Sequence, residues 1–317
     1  MLYLRESDVE QLLDMPTTLE VVEEAFRQLS AGNADNVPRQ RAKATGILLH
    51  SMSAAADYLG LVGWKQYTTT HSGAKFHIGL YDQASGELIA LIAADRLGQM
   101  RTGAVTGVAA KYLASINATK VGLFGSGWQA ESQLEAVAAA RPIGQAFVYS
   151  RHPERRQAFA SKMSEKLNLQ VTAVDEPRQA VEGLPIVITA TTSREPVFDG
   201  EWLSDGSLVC AIGSNWLNKA EIDLATIRRG KLVVCDSVEC CRHEAGDFVP
   251  ALEQGVFRWE DAVELGDVVS SSNAARDQEG ITVFKSVGMA IEDVAVAAKV
   301  VELAKDAGLG LPSVCVV

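Results

Sequence analysis

A glycine-rich segment between an apolar run and a helical pattern has the clearest chemical meaning in this sequence. The segment that fits the pattern G-x-G-x-x-G/A is Gly125, Ser126, Gly127, Trp128, Gln129 and Ala130. In this pattern the first glycine makes a tight turn and the second lets the backbone approach a pyrophosphate. The helix that follows presents free N–H groups and the positive end of its dipole, which favour an anion. We therefore expect a dinucleotide site; the alternative is a glycine-rich turn without a ligand.

The end of the next strand indicates which dinucleotide would bind. In NAD-binding units this strand usually ends on an acidic side chain that binds the ribose hydroxyls. Here the candidate strand 146–149 is followed by Ser150 and Arg151, with Arg155 nearby. Guanidinium groups suit a 2′-phosphate, so these residues predict NADP(H), with NAD(H) as the alternative.

The composition is that of a globular protein without nucleic-acid or membrane partners. The 317 residues carry a formal net charge of -11, and the basic residues are scattered. No apolar run is long enough to span a bilayer, and the opening MLYLRESDVE does not resemble a signal peptide, so a cytoplasmic protein is expected. Cys240, Cys241 and His243 lack neighbours that would complete a tetrahedral set, so no metal site is expected.

Changes in hydrophobic period predict the order of the elements. Helical patterns cover residues 1–30, short strands follow over 37–93, and a helix is expected over 95–114. From residue 120 strands alternate with helices, which is typical of a parallel doubly wound sheet, and a long helix runs from 289 to about residue 307. The predicted fold class is α/β, a Rossmann-type doubly wound parallel sheet inserted into a second α+β domain. The predicted domains are 1–115 plus 289–317, and 116–288.

Six segments, one of which includes the glycine pattern, carry a resemblance to a known family. They are NVPRQR near Val37, GLVGWK ending at Lys65, GLYDQASGELIALI from Gly79, MRTGAVTGVAAKYLA from Met100, VGLFGSGWQA from Val121, and TVFKSVGMAIEDVAVAAK from Thr282. In this order they resemble the ornithine cyclodeaminase/mu-crystallin family of NAD(P)-dependent amino-acid and imine enzymes. The resemblance covers nearly the whole chain. It implies a homodimer in which the discontinuous domain binds substrate and forms the dimer, around an inserted dinucleotide-binding domain.

The resemblance also implies a cationic clamp for the carboxylate of a small α-imino or α-keto acid. The matching positions are Arg39 or Arg41, Lys65, and Arg101. Guanidinium groups fix the orientation of a carboxylate as well as its charge. Arg39 and Arg41 project to the same face of a strand, so both remain candidates, with Arg39 favoured by its spacing from His50. Arg101 is expected near a helix start, where free N–H groups would add to the anion site.

Two of these positions are also candidates for proton transfer. Lys65 should have a lowered pKa, because neighbouring arginines disfavour a further cation, and it is a candidate acid or proton relay. His50 stands where cyclodeaminases have a glutamate, and it is a second candidate proton donor. Asn215, a candidate substrate contact, stands where they have an aspartate that handles the substrate's amino group. An amide takes no proton at neutral pH, which argues against ammonia loss from ornithine.

The resemblance assigns further cofactor contacts to Thr102, Thr191, Thr192 and Lys219. The cationic clamp beside the dinucleotide motif, without the cyclodeaminase aspartate, predicts an NADPH-dependent reductase of α-imino acids. Candidate substrates are Δ1-pyrroline-2-carboxylate and Δ1-piperideine-2-carboxylate, which take a hydride at C2 to yield the L-amino acid. The alternatives are an ornithine cyclodeaminase, reductive amination of an α-keto acid as in alanine dehydrogenases, and a nucleotide-loaded binding protein without turnover.

Overall fold

In the computed structural model, which describes residues 1–271 and 280–312, the chain divides into two units. The first unit combines Met1–Arg101 with Met289–Val317, and the second unit is Thr102–Gly288. None of the helices in the described ranges has the length and apolar character needed to cross a membrane. The assignment of substrate binding to one unit and dinucleotide binding to the other stays a prediction.

Strands and helices alternate along most of the chain after an initial stretch that is rich in strands. The strands are β1 (Leu2–Leu4), β2 (Ala34–Ala44), β3 (Ile47–Ala56), β4 (Leu61–Thr70), β5 (Gly73–Asp82), β6 (Leu88–Ala93), β7 (Lys120–Phe124), β8 (Gln145–Tyr149), β9 (Gln170–Ala173), β10 (Ile186–Thr189), β11 (Leu208–Ala211), β12 (Gly230–Cys235), β13 (Val263–Glu264), β14 (Ile281–Lys285) and β15 (Leu311–Pro312). The helices are α1 (Glu6–Leu12), α2 (Met15–Ser30), α3 (Asp95–Leu113), α4 (Trp128–Ala140), α5 (Pro153–Leu167), α6 (Leu224–Arg229), α7 (Val238–Glu244), α8 (Val249–Glu253), α9 (Leu265–Ser270) and α10 (Ala290–Ala307).

The first unit is built on a mixed sheet with the strand order β15-β1-β6-β5-β4-β3-β2. Strands β2 to β6 pair antiparallel in succession, and α10 packs against β3, β4 and β5. Alternate residues of β3, including Met52, Ala54 and Ala56, are buried, as the period of two in a strand requires. The helical prediction for residues 1–30 is wrong at β1, because Leu2–Leu4 pair with the distant strands β6 and β15.

The second unit is a parallel sheet with the strand order β13-β12-β14-β11-β10-β7-β8-β9. Its strand pairs are parallel, and the order reverses between β7 and β10, where a doubly wound sheet opens its ligand crevice. Strands such as β10 and β11 are buried throughout, as expected for strands covered on both faces. This sheet confirms the predicted α/β fold class.

Candidate functional site

Two buried cations and two buried acids meet in the first unit. Lys65 on β4 places its Nζ 2.8 Å from Asp293 Oδ1, and Arg101 Nε donates to the same oxygen at 2.9 Å. Arg101 Nη1 also donates to Glu292 Oε2 at 2.5 Å. The cation side chains are 2% and 7% exposed and the acids are fully buried. We refer to Lys65, Arg101, Glu292 and Asp293 as the cation–acid cluster.

An aromatic row on the same face of the sheet flanks Lys65. The strand register places His50 opposite Tyr67, and Tyr67 opposite Phe76. The rings of His50 and Tyr67 stack with centroids 4.1 Å apart, and those of Tyr67 and Phe76 lie 4.7 Å apart. Lys65 Nζ is 5.3 Å from the Phe76 centroid. The rings exclude water from the ammonium group while their faces attract its charge.

These surroundings lower the pKa of Lys65 to about 8. Burial contributes most, because it disfavours the charged form, and the positive charge of Arg101 acts in the same direction. Asp293 partly opposes both effects. The predicted direction is therefore confirmed, although desolvation is a larger cause than the neighbouring arginines. A lysine with a pKa near neutrality holds a proton that it can give up, which is the property of a general acid.

His50 differs from Lys65 in its protonation state at pH 7. Burial, followed by the charges of Arg41 and Arg39, lowers the pKa of His50 to about 4. Its Nε2 lies 3.1 Å from Thr69 Oγ1. The imidazole is therefore neutral at pH 7, which favours Lys65 over His50 as a source of protons.

The two candidate arginines of β2 differ in their surroundings. The register of β2 against β3 shifts between Val37 and Gln40, so that Arg39 lies in a bulge beside Met52 and donates from Nε to its Sδ at 3.3 Å. The charge of Arg39 lowers the pKa of both His50 and Lys65, whereas Arg41 affects His50. These observations favour Arg39 as the arginine nearer to Lys65.

The backbone setting of Arg101 differs from the expected one. Arg101 lies in the second turn of α3 rather than near a helix start, so backbone N–H groups there are bonded within the helix. Any anion there would therefore contact the guanidinium group and no free backbone N–H groups.

Sequence reasoning also missed Glu292 and Asp293. The available signal was a pair of adjacent acids in the first turn of α10, a helix whose other residues are largely apolar.

We predict that the pKa of Lys65 will appear as the alkaline limb of the pH profile. For reduction of an α-imino acid, kcat/KM is expected to be level near pH 7 and to fall above about pH 8, because deprotonated Lys65 has neither a proton to donate nor a charge for a carboxylate. His50→Gln should retain this limb, since the pKa of His50 lies near 4. Steady-state rates from about pH 6 to about pH 10 will test this expectation, and a profile that stays level over that range would contradict it.

The glycine segment of the second unit forms a turn that leaves room for an anion. Gly125 has a φ of +117°, and a Cβ at this position would clash with the carbonyl oxygen of Ala190. A Cβ at Gly127 would meet no atom within 4 Å, so the backbone surface there is open. Gly127 is the N-terminal cap of α4, which begins at Trp128. The N-terminus of α4, with the positive end of its dipole, therefore follows directly on the open turn.

A cavity of about 480 Å³ adjoins this turn. Eight predicted cofactor residues line it, namely Gly125, Ser126, Gly127, Ser150, Arg151, Arg155, Thr191 and Thr192. The Ser126 hydroxyl donates to Ser150 Oγ at 2.9 Å and joins the turn to the end of β8. None of the described residues that line the cavity is acidic, and Arg151, His152 and Arg155 are basic. The turn, the helix terminus and the basic residues of the cavity suit an anionic dinucleotide.

The remaining predicted residues lie elsewhere in the second unit. The lining does not include Thr102, Trp128, Gln129, Ala130 or Lys219. The Thr102 carbonyl accepts a hydrogen bond from Gln133 Nε2 at 3.1 Å, which ties α3 to α4. Asn215 is half-buried in the loop after β11. The structure thus gathers the predicted cations of the first unit in one place and most of the predicted cofactor residues in another.

The sequence and the fold are similar to those of known proteins. The sequence model of the ornithine cyclodeaminase/mu-crystallin family matches residues 1–308. A Δ1-pyrroline-2-carboxylate reductase of Bacillus cereus is 32% identical over 324 residues, covering 98% of each chain. The Thermococcus litoralis Δ1-pyrroline-2-carboxylate reductase, solved in complex with NADH and L-proline, is 34% identical with a TM-score of 0.94, covering 99% of this chain and 100% of that chain.

A third similar structure is an archaeal alanine dehydrogenase dimer with bound NAD. It is 30% identical with a TM-score of 0.93, and the match covers 99% of this chain and 99% of that chain. The agreement in sequence and fold extends over both units. The chain therefore belongs to the ornithine cyclodeaminase/mu-crystallin family.

Proposed function

We propose that this protein is an NAD(P)H-dependent reductase that converts small α-imino acids into L-amino acids. The observation that carries the proposal is the cation–acid cluster, in which a buried lysine with a pKa of about 8 lies beside a buried arginine. Such a pair can hold a carboxylate and supply a proton, which are the two tasks that reduction of an α-imino acid leaves to the protein. The similarity to two Δ1-pyrroline-2-carboxylate reductases supports the same reaction class.

Each residue of the site would have a distinct task in this reaction. Arg101 and Arg39 bind and orient the substrate carboxylate. A reduced nicotinamide cofactor, when bound, would supply the hydride for the new C–H bond at C2. As the C=N double bond becomes a single bond, its electron pair takes a proton from Lys65 Nζ at nitrogen, and Lys65 then regains a proton from water. Asp293, 2.8 Å from Nζ, holds the ammonium group in place.

Reductive amination of an α-keto acid is the second candidate function. It is favoured by the similarity to an alanine dehydrogenase, and a keto acid presents the same carboxylate to Arg101. In that reaction ammonia and the keto acid first form an imine with loss of water, after which the hydride and proton transfers are the same. The two candidates therefore differ in whether the imine is taken up or made on the protein.

The cofactor proposed is NADP(H). The support is the basic end of the cavity, where Ser150, Arg151 and Arg155 take the place of an acidic side chain. The similar structures hold NADH and NAD, so NAD(H) is the alternative cofactor.

We also infer a homodimer, because the similar alanine dehydrogenase is a dimer. Sedimentation velocity would test this inference.

We predict that Arg151→Ala will lower the preference for NADPH over NADH by about 10- to 100-fold, because a charged hydrogen bond to the 2′-phosphate contributes about 1.5–3 kcal/mol. The measurement is the ratio of kcat/KM for the two cofactors. Arg258→Ala is the matched control, since Arg258 is an exposed arginine of the same unit that pairs with Asp261. A wild-type preference for NADH, or an unchanged ratio in Arg151→Ala, would overturn the NADP(H) assignment.

The experiment that tests the main proposal is an assay of the purified protein with NADPH and, separately, NADH. Oxidation of the cofactor with Δ1-pyrroline-2-carboxylate or Δ1-piperideine-2-carboxylate, and formation of the L-amino acid, are expected. Pyruvate with ammonia tests the second candidate. Inactivity toward both imines, together with ammonia release from ornithine, would refute the proposal and identify a cyclodeaminase.

A further inference from the structure

Three of the fully buried ionisable side chains of the second unit lie together and have no part in the chemistry proposed above. They are Glu221, Asp247 and Lys285, none of which is more than 1% exposed. Lys285 Nζ lies 2.7 Å from Asp247 Oδ2 and donates to the carbonyl oxygen of Ser214 at 2.8 Å. Asp247 Oδ1 accepts the backbone N–H of Glu221 at 2.6 Å. We refer to these three residues as the buried charge cluster.

The cluster lies at the carboxyl ends of three neighbouring strands. The Glu221 carboxylate accepts hydrogen bonds from the hydroxyl of Thr189, the last residue of β10, at 3.0 Å and from the Thr191 N–H at 2.7 Å. It also accepts the N–H of Gly213, just after β11, at 2.5 Å. Lys285 is the last residue of β14, which lies beside β11. This edge is where doubly wound sheets bind their ligands.

The strand order assigns this edge to one half of a dinucleotide. The run β9-β8-β7-β10-β11 has the 3-2-1-4-5 order of two mononucleotide-binding halves, and β14 takes the place beside β11 although β12 and β13 precede it in the chain. The half made of β7, β8 and β9 contains the glycine turn and the basic residues Arg151 and Arg155, so it would take the adenine nucleotide. The half made of β10, β11 and β14 is left for the nicotinamide nucleotide.

The formal charge of the cluster is one negative unit, from two carboxylates and one ammonium group. Glu221 uses both of its oxygens as acceptors, Oε1 toward the Thr191 N–H and Oε2 toward the Gly213 N–H, which fits the ionised form. Burial raises the pKa of Glu221, and the charge of Lys285 and the hydrogen bonds from Thr191 act against that rise. The oxidised nicotinamide ring carries a positive charge that the reduced ring lacks. A fixed negative charge near this half therefore stabilises the oxidised form selectively.

We infer that the buried charge cluster sets the relative affinity of the protein for oxidised and reduced nicotinamide cofactor, with Glu221 and Asp247 favouring the oxidised form through their charge rather than by contact. The inference rests on the proposed function only in requiring that the second unit binds a nicotinamide dinucleotide. In a reductase, this preference shifts the equilibrium between the two bound cofactor forms toward the oxidised form. It therefore favours transfer of the hydride to the substrate.

The test compares the dissociation constants of NADP⁺ and NADPH in wild type, Glu221→Gln and Asp247→Asn, measured by titration calorimetry without substrate. Each substitution keeps the shape of the side chain and removes one negative charge. We expect the ratio of the NADP⁺ constant to the NADPH constant to rise on the order of tenfold in both variants, because each loses one negative charge that favours the cationic ring. Glu182→Gln, which neutralises an exposed carboxylate paired with Arg178, should leave the ratio unchanged.

The outcomes separate a charge effect from a purely structural one. If the variants lose affinity for both cofactor forms by the same factor, the cluster only positions the loops after β10 and β11, and the inference is wrong. If circular dichroism shows that Glu221→Gln is misfolded, Asp247→Asn decides the question. Wild-type protein that binds neither NADP(H) nor NAD(H) would refute the proposed function instead, because the inference predicts only a ratio between two bound forms.

Discussion

Replacing Lys65 with methionine is expected to lower kcat/KM for an α-imino acid by about 10³-fold or more while leaving the affinity for NADPH unchanged. Loss of a general acid costs about 10²- to 10⁴-fold, and loss of a charged contact to the carboxylate adds to this. Methionine has a similar length and suits the apolar surroundings of Tyr67 and Phe76. Asp293 keeps its hydrogen bond from Arg101 at 2.9 Å, so the fold should persist.

The matched control is Lys75→Met, which removes a lysine from β5 of the same sheet. The Lys75 side chain is 79% exposed, and its Nζ lies 3.5 Å from Asp95 at the surface, so its loss should change neither constant. Steady-state kinetics and fluorescence titration with NADPH provide the two measurements. Near-wild-type turnover in Lys65→Met would remove Lys65 from the mechanism, and equal losses in turnover and cofactor affinity would indicate misfolding instead.

Replacing Gly125 with alanine is expected to weaken NADPH binding by about 100-fold and to destabilise the protein. The φ of +117° is a conformation that residues with a Cβ rarely adopt, and the added Cβ would clash with the Ala190 carbonyl oxygen. The turn must move to relieve this contact, which displaces the backbone that would hold the pyrophosphate. We expect the free energy of unfolding to fall by about 2 kcal/mol or more, measured by urea denaturation.

Two further glycine variants separate strain from cofactor binding. Gly127→Ala adds a Cβ that meets no atom within 4 Å, so the unfolding free energy should stay near that of wild type. Its cofactor affinity should nevertheless fall, since the methyl group occupies the open surface where the pyrophosphate would approach. Gly144→Ala, also without a neighbour within 4 Å, should change neither quantity. Tight NADPH binding by both Gly125→Ala and Gly127→Ala would place the dinucleotide elsewhere.

The fold could be predicted where local patterns decide it. The α/β alternation after residue 120 and the long final helix have clear periods, and the predicted helix 289–307 corresponds to α10. The errors occur where distant segments pair. Strand β2 begins at Ala34, ahead of the predicted stranded stretch, because Ala34 pairs with Ala56 on β3. Such pairings depend on partners that no local window of sequence contains.

In the candidate site, too, local sequence patterns could be recognised and contacts between distant segments could not. The glycine turn and the basic end of β8 are contiguous in sequence and could be recognised directly. The cation–acid cluster joins Lys65 to Asp293 across more than two hundred residues, and no spacing rule links them. The buried charge cluster was missed for the same reason, since Glu221 and Lys285 are brought together only by the order of β10, β11 and β14.

The ion pairs of Lys65 and Arg101 also have a consequence for ligand exchange. Glu292 and Asp293 balance both cations before any acid arrives, so the protein without ligand has no need of a bound buffer anion to offset repulsion in its interior. An arriving carboxylate must share these cations with partners that are already in contact with them. Its net affinity is therefore the difference between two sets of ion pairs, so the existing pairs weaken the binding of substrate and of amino-acid product alike.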